Sequence, residues 1–411
     1  YFGNSTYLVN KNKFNVYDSN DSKGNCIYSK GATIIDNYGS VNYDKSMTLS
    51  NPSITAVINH ENSEFTLNGS IERDNEVYYY AIDNLGTFII NDAIIKGRIE
   101  NLNGNINITN SNIYSNSDIS INNDSGEINI FGGEIYNNEI NGKAIYNKSG
   151  KITIVNSDIN ATKDKSIGIS NSGNLVVESG NITGTYNGIL NNSELTINDG
   201  TISSYGRNGK ALEIDNANSI TNMYGGIITT SDMPNSTAIY SKSGITNIYS
   251  GDVYANGTNN TAIYIGYSGS VNLGIKGDKD SDGNLLVSKN NPNINASQYG
   301  VEINDNGIFN FYDGIITGKD AISGPVNDIE DSFDIVSDND ENGNEVKYLD
   351  RKLIVKNIRT KKEYYSFADA LKEITEGDTL QLIDSLTLLK NASVLEINED
   401  MNFIIDLNGN K

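Results

Sequence analysis

The chain has 411 residues, of which 52 are acidic and 30 are basic, so its formal net charge is -22 at pH 7. This charge repels nucleic-acid phosphates and anionic lipids, and we expect no nucleic acid as a partner. Hydrophobic residues make up only 37%, and the single cysteine excludes an internal disulfide framework. No stretch approaches the ~18 to 20 apolar residues of a membrane span, so we expect no membrane insertion within this segment.

A short repeat, rather than disorder, accounts for the low apolar content. In eleven places a small residue is followed four positions later by an apolar one. Successive pairs near the middle of the chain lie 22, 24 and 23 residues apart, namely Gly104/Ile108, Gly126/Ile130, Gly150/Ile154 and Gly173/Val177. One unit, from Gly269 to Gly307, is enlarged to 38 residues. A period of about 23 residues built from short apolar runs is typical of a solenoid.

Each unit contains three strand-forming runs separated by turn residues. The alternation in Ile152-Thr-Ile154 places isoleucines on one face, which a single unit cannot bury. Coils stacked about 4.8 Å apart would align these isoleucines into one continuous core. We therefore predict that residues 1–325 form an all-β, three-sided parallel β-helix, with the first ~20 residues less regular. We also expect amide hydrogen bonds from coil to coil among Asn59, Asn84, Asn147 and Asn191.

The repeat fails after Ile322, and a different pattern follows. Residues 326–362 are predicted to be an acidic linker that contains one strand, at 348–357. Ser366 precedes Phe367, Ala370, Leu371 and Ile374 at helical spacing, which predicts a short helix with Ser366 as its N-cap. Strands are expected again at 379–383, 395–397 and 403–407. We interpret residues 363–411 as a helical cap followed by the first strands of a second β-helix, because an open solenoid end needs a cover.

The motifs resemble the right-handed parallel β-helix repeats of large Gram-positive surface proteins, of the pectate-lyase-like superfamily. The resemblance lies in the pattern Ser-Gly-x-Ile-x-Ile-x-x-Gly-x-Ile, with conservative replacements, at 149–159 and 172–182, and in the helix and Asp406-Leu-Asn-Gly409 near the end. It implies an extracellular, cell-surface location and a segment of a longer precursor. Because this fold carries lyases, hydrolases, adhesins and spacers, the resemblance leaves the function open.

The enlarged unit contains the clearest metal-binding pattern in the sequence. Asp278, Asp280, Asp282 and Asn284 stand at alternate positions and flank Gly283, as in the first half of a calcium loop. The twelfth position is Lys289 instead of a bidentate glutamate, so a solvated acidic turn is the alternative interpretation. A weaker copy of the pattern runs from Asp338 to Gly343. Calcium is the only cofactor that the sequence suggests.

The remaining candidates concern binding and catalysis. Tyr146, Tyr240 and Tyr264 occupy equivalent places after Ala-Ile, and a row of tyrosines can stack on sugar rings, although tyrosine is also a good strand former. His60 is the only histidine, and without a nucleophilic partner it is expected to be a loop residue. We predict a structural or adhesive segment that acts as a rigid stalk or as a surface that contacts glycans, host surface proteins or copies of itself. A polysaccharide-degrading lyase or hydrolase is the alternative.

Overall fold

The computed structural model describes residues 8–17, 25–30, 32–50, 54–73, 80–281, 285–304, 306–384 and 402–410. The chain forms an all-β parallel β-solenoid of about 15 turns and one short helix. Contacts divide it into two compact units. The first contains residues 1–329 and 337–348, and the second contains residues 330–336 and 349–411.

The parallel strands of the first unit fall into three series, which we call the first, second and third faces. Each strand pairs in parallel with its equivalent in the next turn. The first face contains Leu8–Asn10, Ile35–Asn37, Val57–Asn59, Tyr80–Asn84, Arg98–Asn101, Ile119–Asn123, Lys143–Asn147, Ile167–Asn171, Asn187–Asn191, Lys210–Ile214, the first parts of Thr237–Ile248 and Thr261–Leu273, Tyr299–Ile303 and Asp320–Ser323.

The other two faces continue from these strands around each turn. The second face contains Lys13–Val16, Ser40–Tyr43, Glu64–Leu67, Thr87–Asn91, the first parts of Asn105–Ser115 and Glu127–Asn137, Lys151–Val155, Asn174–Val177, Glu194–Ile197, Ile220–Met223, the second parts of Thr237–Ile248 and Thr261–Leu273, Ile308–Phe311 and Asp328–Ile329. The third face contains Asn25–Ser29, Ser46–Leu49, Ser70–Arg73, Ile94–Lys96, the second parts of Asn105–Ser115 and Glu127–Asn137, Ser157–Ala161, Gly180–Gly184, Thr201–Ser204, Ile227–Thr230, Asp252–Ala255, Asn293–Ala296 and Ile315–Gly318.

The core consists of aliphatic columns that run from turn to turn. On the second face Ile108 pairs with Ile130, which pairs with Ile154, so the residues that define the repeat lie directly above one another. All three are fully buried. The pairing confirms the predicted parallel β-solenoid, because only stacked turns could bury the apolar face of such short strands.

A ladder of buried asparagines closes the first face at the turn into the second. Each Nδ2 donates to the Oδ1 of the next asparagine at 2.8–3.0 Å, through Asn10, Asn37, Asn59, Asn84, Asn101, Asn123, Asn147, Asn171 and Asn191. The ladder then ends, because Ile214 takes the place of the next asparagine and Asn191 donates to Thr221 Oγ1 instead. The predicted coil-to-coil amide bonds are confirmed, and they satisfy polar groups that are cut off from water.

The acidic region after the last parallel turns holds more strand than the sequence predicts. Strands lie at Phe333–Asn339 and Glu345–Arg351, in place of a linker with one strand. The Asp340 carboxylate accepts hydrogen bonds from the backbone of Asn342 and Asn344, both at 2.8 Å, and so fixes the intervening turn. Residues 345–348 pair antiparallel with Ile315–Gly318. This pairing gives hydrogen-bond partners to the backbone groups at the last edge of the third face.

The second unit is a small sheet covered by the helix. Its strands are Val355–Asn357, Glu363–Tyr364, Thr379–Leu382 and Ile404–Asp406, and the last two pair in parallel. The helix, Phe367–Glu373, begins at Ser366, whose Oγ accepts a hydrogen bond from Asp369 N at 3.1 Å as the sequence predicts. Phe367, Ala370 and Ile374 pack on the sheet, which confirms the predicted apolar face of the helix. The strand expected at 395–397 lies outside the described residues.

Candidate functional site

The loops that lead from the third face to the first face differ in length, and this difference creates a groove. We call them corner loops. Residues 162–166 and 205–209 form five-residue corner loops, whereas the loop between them is only Thr185 and Tyr186. The short loop therefore forms the floor of a groove of about 530 Å³ between two longer walls. Its lining residues are Asn141, Asp164, Lys165, Thr185, Tyr186, Gly206, Arg207 and Asn208. We call it the corner groove.

Backbone and hydroxyl contacts hold the floor and the walls together. Thr185 Oγ1 accepts a hydrogen bond from Ser166 N at 2.9 Å, and Tyr186 N donates to Ser166 O at 3.0 Å. On the other side, Gly206 N donates to Thr185 O at 2.8 Å. Main-chain groups and the Thr185 hydroxyl thus bond the walls to the floor, and the other side chains of the groove are available for a ligand.

The first face next to the corner groove carries a pair of stacked tyrosines. Tyr240 and Tyr264 are register partners on successive strands. Their ring centroids lie 4.8 Å apart and their planes are 3° from parallel. The separation matches the distance between neighbouring strands, so the sheet itself spaces the rings. Both rings are half-buried and present a continuous aromatic surface, which we call the tyrosine pair.

A lysine connects the corner groove to the tyrosine pair. Lys210 Nζ lies 5.5 Å from the ring centroid of Tyr186 and 4.0 Å from that of Tyr240. It also forms an ion pair with Glu213 Oε1 at 2.6 Å, and Glu213 Oε2 accepts a hydrogen bond from Asn187 Nδ2 at 2.9 Å. These groups fix the ammonium group against both rings. The floor of the groove and the tyrosine pair therefore belong to one surface.

Burial raises the pKa of Tyr240 to about 12, and the neighbouring Tyr264 contributes to the rise. The phenol consequently keeps its proton over the whole physiological range. Because Tyr264 and Lys210 lie over the faces of the ring, Tyr240 offers its apolar ring edge and one hydrogen-bond donor, a combination suited to a ligand that has both hydroxyl and C–H groups.

The third tyrosine of the predicted row lies elsewhere on the same face. Tyr146 occupies the same column, but its register partners are Asn122 and Ser170. The strands that carry Ser170, Leu190 and Glu213 separate it from Tyr240. Its ring contacts Lys143, whose Nζ lies 5.7 Å from the centroid. The equivalence of the three positions is confirmed, and the structure brings together only two of them.

A second cluster on the first face contains two carboxyl groups and an arginine. Asp83 and Glu100 are register partners, and the Arg98 guanidinium forms ion pairs with Glu100 and with Asp118. Glu100 is buried and accepts a hydrogen bond from Asn122 Nδ2 at 2.7 Å. Burial raises the pKa of both Asp83 and Glu100, against the opposing effects of hydrogen bonds and of Arg98. We call this the carboxyl cluster.

The predicted calcium site lies partly outside the described residues. Asp278 and Asp280 are described, whereas Asp282 and Asn284 are not. Lys279 and Leu285 form an antiparallel bridge. In the described part of the chain, no group of three or more His, Cys, Asp or Glu residues has a geometry that could hold a metal ion. Calcium binding at this loop stays a prediction.

The two weaker candidates have local partners. His60 Nε2 lies 2.6 Å from Asp36 Oδ1, and its ring stacks on Tyr38 with centroids 3.8 Å apart. In the segment from Asp338 to Gly343, Tyr348 OH donates to Asp338 Oδ2 at 3.2 Å, and the Asp340 carboxylate holds the turn. The hydrogen bonds to Asn344 lower the pKa of Asp340. These contacts hold the His60 ring in place and fix the turn that contains Asp340.

Sequence reasoning missed the corner groove, the Lys210–Glu213 pair and the carboxyl cluster. A signal for the groove is present in the repeat spacing, because Gly173 and Ser193 are only 20 residues apart and the missing residues come from the corner loop. No comparable signal marks the carboxyl cluster. Asp83 and Glu100 are neighbours only because they lie on successive turns whose strands are in register at this point.

Comparison of the chain with models of known protein families, with curated proteins and with solved structures found no match. The family resemblance described above therefore depends on the sequence motifs alone. No helix in the described ranges has the length and apolar character needed to cross a membrane.

Proposed function

We propose that the chain is a rigid solenoid segment of an extracellular, cell-surface protein, and that its first face binds glycans. The tyrosine pair is the observation that carries this proposal. The two stacked rings present adjoining edges and two phenol groups, so sugar hydroxyls can hydrogen-bond the phenols while sugar C–H groups pack against the ring edges. The Lys210 ammonium, paired with Glu213, lies over the face of Tyr240 and holds that ring in place, which lowers the entropy lost on binding.

Rigidity is supported by the buried asparagine ladder and by the parallel pairing of successive turns. A solenoid of this kind holds a binding surface in fixed geometry without requiring a large core. We further propose that the solenoid is right-handed, with about 23 residues in a typical coil. Parallel strands joined by a crossover connection are right-handed in about 98% of cases, which supports this hand. Host surface proteins and further copies of the chain remain proposed partners.

The tyrosine pair provides a direct test of glycan binding. The intact chain is applied to a glycan array, together with the Tyr240→Ala/Tyr264→Ala double variant and a Tyr146→Ala control. Tyr146 is the matched control because it occupies the same column without a stacked partner. We expect the wild type and the control to bind the same glycans, and the double variant to lose at least tenfold in affinity. Equal binding by all three proteins, with unchanged circular dichroism, contradicts a role for the tyrosine pair.

A polysaccharide-cleaving enzyme is the second candidate, and the carboxyl cluster supports it. Glycoside cleavage uses a pair of carboxyl groups, one of which has a raised pKa and donates a proton while the other is ionised, and burial raises the pKa of both Asp83 and Glu100. The Arg98 guanidinium adds a positive charge beside them. Incubation with the glycans selected on the array, followed by a reducing-sugar assay, tests this candidate. Release of reducing ends that disappears in Glu100→Gln supports an enzyme, whereas binding without release rejects it.

A further inference from the structure

The longer corner loops share one backbone geometry at their second-to-last residue. That residue is an asparagine in every loop but one, where it is a lysine. In each, the residue before the last has a left-handed backbone, at Asn141, Lys165, Asn208, Asn235 and Asn259. Asparagine tolerates this conformation better than most residues, because its short polar side chain can hydrogen-bond locally. Lysine has no such compensation, yet Lys165 adopts a φ of 56°. The sequence thus retains a strained lysine where the other long corner loops use asparagine.

Lys165 faces a second cation across the same groove. It lies on one wall of the corner groove, and Arg207 lies on the other. Both side chains are exposed, and neither forms an ion pair with any residue that the structure describes. One carboxylate, Asp164, also lines the groove, so the two cations leave the lining with a net positive charge on a chain whose net charge is -22, which favours a negative group at this site. Backbone strain that is retained at a ligand-lining position points to a role in binding.

We propose that the corner groove binds an anionic sugar, whose ring stacks on Tyr186 and whose acidic group lies between Lys165 and Arg207. This inference rests on the proposed glycan-binding function and specifies the class of glycan. The planar guanidinium of Arg207 can pair with two oxygens of a carboxylate or sulfate, and Lys165 adds a point charge. Asn141 and Asn208 offer amide groups to the hydroxyls of the sugar. Because Lys210 contacts both Tyr186 and Tyr240, the next sugar units of the chain would lie along the surface that joins the groove to the tyrosine pair.

Calorimetric titration of the intact chain tests the inference. The probes are a hyaluronan octasaccharide, the same octasaccharide after reduction of its carboxyl groups, and a chondroitin sulfate octasaccharide. The variants are Lys165→Asn, which restores the residue used in the other corner loops, and Lys163→Asn, which removes the same charge from the same loop but outside the groove lining. We expect an anionic probe to bind at least tenfold more tightly than the reduced one. Both polymers carry glucuronate carboxyl groups and only chondroitin sulfate adds sulfate, so tighter binding of chondroitin sulfate indicates sulfate recognition, whereas equal binding of the two indicates carboxylate recognition.

Lys165→Asn is expected to lower the affinity for the anionic probe about tenfold and to leave the affinity for the neutral probe unchanged. It should also raise the melting temperature, because the backbone strain is relieved. Lys163→Asn is expected to change neither affinity by more than twofold. If anionic and neutral probes bind equally, or if both variants behave alike, the anionic-sugar inference is overturned while glycan binding stands. If no glycan binds in this assay or on the array, the proposed function itself fails.

Discussion

Replacing Asn147 by alanine removes one rung from the middle of the buried asparagine ladder. Asn147 Nδ2 donates to Asn171 Oδ1 at 2.8 Å, to Gly150 O at 3.0 Å and to Asn174 O at 3.2 Å. Its Oδ1 accepts a hydrogen bond from Asn123 Nδ2 at 3.0 Å. Without it, Asn123 Nδ2 keeps only a 3.4 Å contact with Gly126 O. Four hydrogen bonds are lost, and at least one buried donor is left poorly satisfied.

The expected loss follows from these contacts. A buried polar group without a partner costs about 1–3 kcal/mol, and the other lost bonds add about 1 kcal/mol each where their partners cannot rebond. We expect Asn147→Ala to lower the free energy of unfolding by about 3–5 kcal/mol. Partial compensation comes from bonds that Asn171 Oδ1 and Gly150 O retain, from Gly173 N and Asn174 N respectively.

The second face offers a matched control for this variant. Asn247 also belongs to an amide ladder, since it donates to Asn222 Oδ1 at 2.8 Å and accepts from Asn272 Nδ2 at 2.7 Å. It is only half-buried, so water can replace its partners, and Asn247→Ala should cost less than about 1 kcal/mol. Urea unfolding followed by far-ultraviolet circular dichroism measures both losses. A loss for Asn147→Ala no larger than that for Asn247→Ala refutes the role of burial in the ladder.

Three further predictions concern other parts of the chain. Burial raises the pKa of Asp313 to about 6, so the stability contributed by its proton is present below its usual pKa of 3.8 and is lost as pH rises through 6. After allowance for solvent screening, Asp313→Asn should raise the free energy of unfolding by about 1 kcal/mol at pH 7.5 and leave it unchanged at pH 3. A difference in melting temperature that does not depend on pH contradicts the raised pKa of Asp313. Millimolar calcium is expected to raise the melting temperature of the wild type but not that of Asp280→Ala, and an unchanged wild type rejects the calcium loop. Ser366→Ala should destabilise the helix by about 1 kcal/mol through loss of its N-cap, which faster hydrogen exchange at residues 367–373 would reveal.

The periodic features of the fold could be predicted from the sequence because they depend on local pattern. Ile130 and Ile154 share a position in successive repeats, and alternation alone determines which side of a strand each residue faces. The recurrence of Asn59 and Asn84 at the end of equivalent strands likewise indicated a ladder. The helix was predictable from its cap and apolar spacing, since both signals lie within a few residues of each other.

The features that distinguish one turn from another could not be predicted in the same way. The contact between Lys210 and Tyr240 requires knowledge of both the register and the direction of two side chains on different strands. Arg98 and Glu100 lie on one strand and form an ion pair. Asp83 joins them because the strand of the preceding turn pairs with theirs and places Asp83 opposite Glu100. The composition of the chain contains no information about such contacts. The candidate site depends on the lengths of the corner loops and on the register of the strands, and the sequence predicted only its tyrosine pair.

The most direct test of glycan binding on the first face is a map of where the ligand contacts the chain. Hydrogen–deuterium exchange is measured on the intact protein with and without a saturating amount of the glycan that binds most tightly. We predict slower exchange at residues 162–166, 185–186 and 205–210, and in the strands that carry Tyr240 and Tyr264, with no change around Tyr146. Protection confined to other regions, or no protection on the first face, contradicts the account.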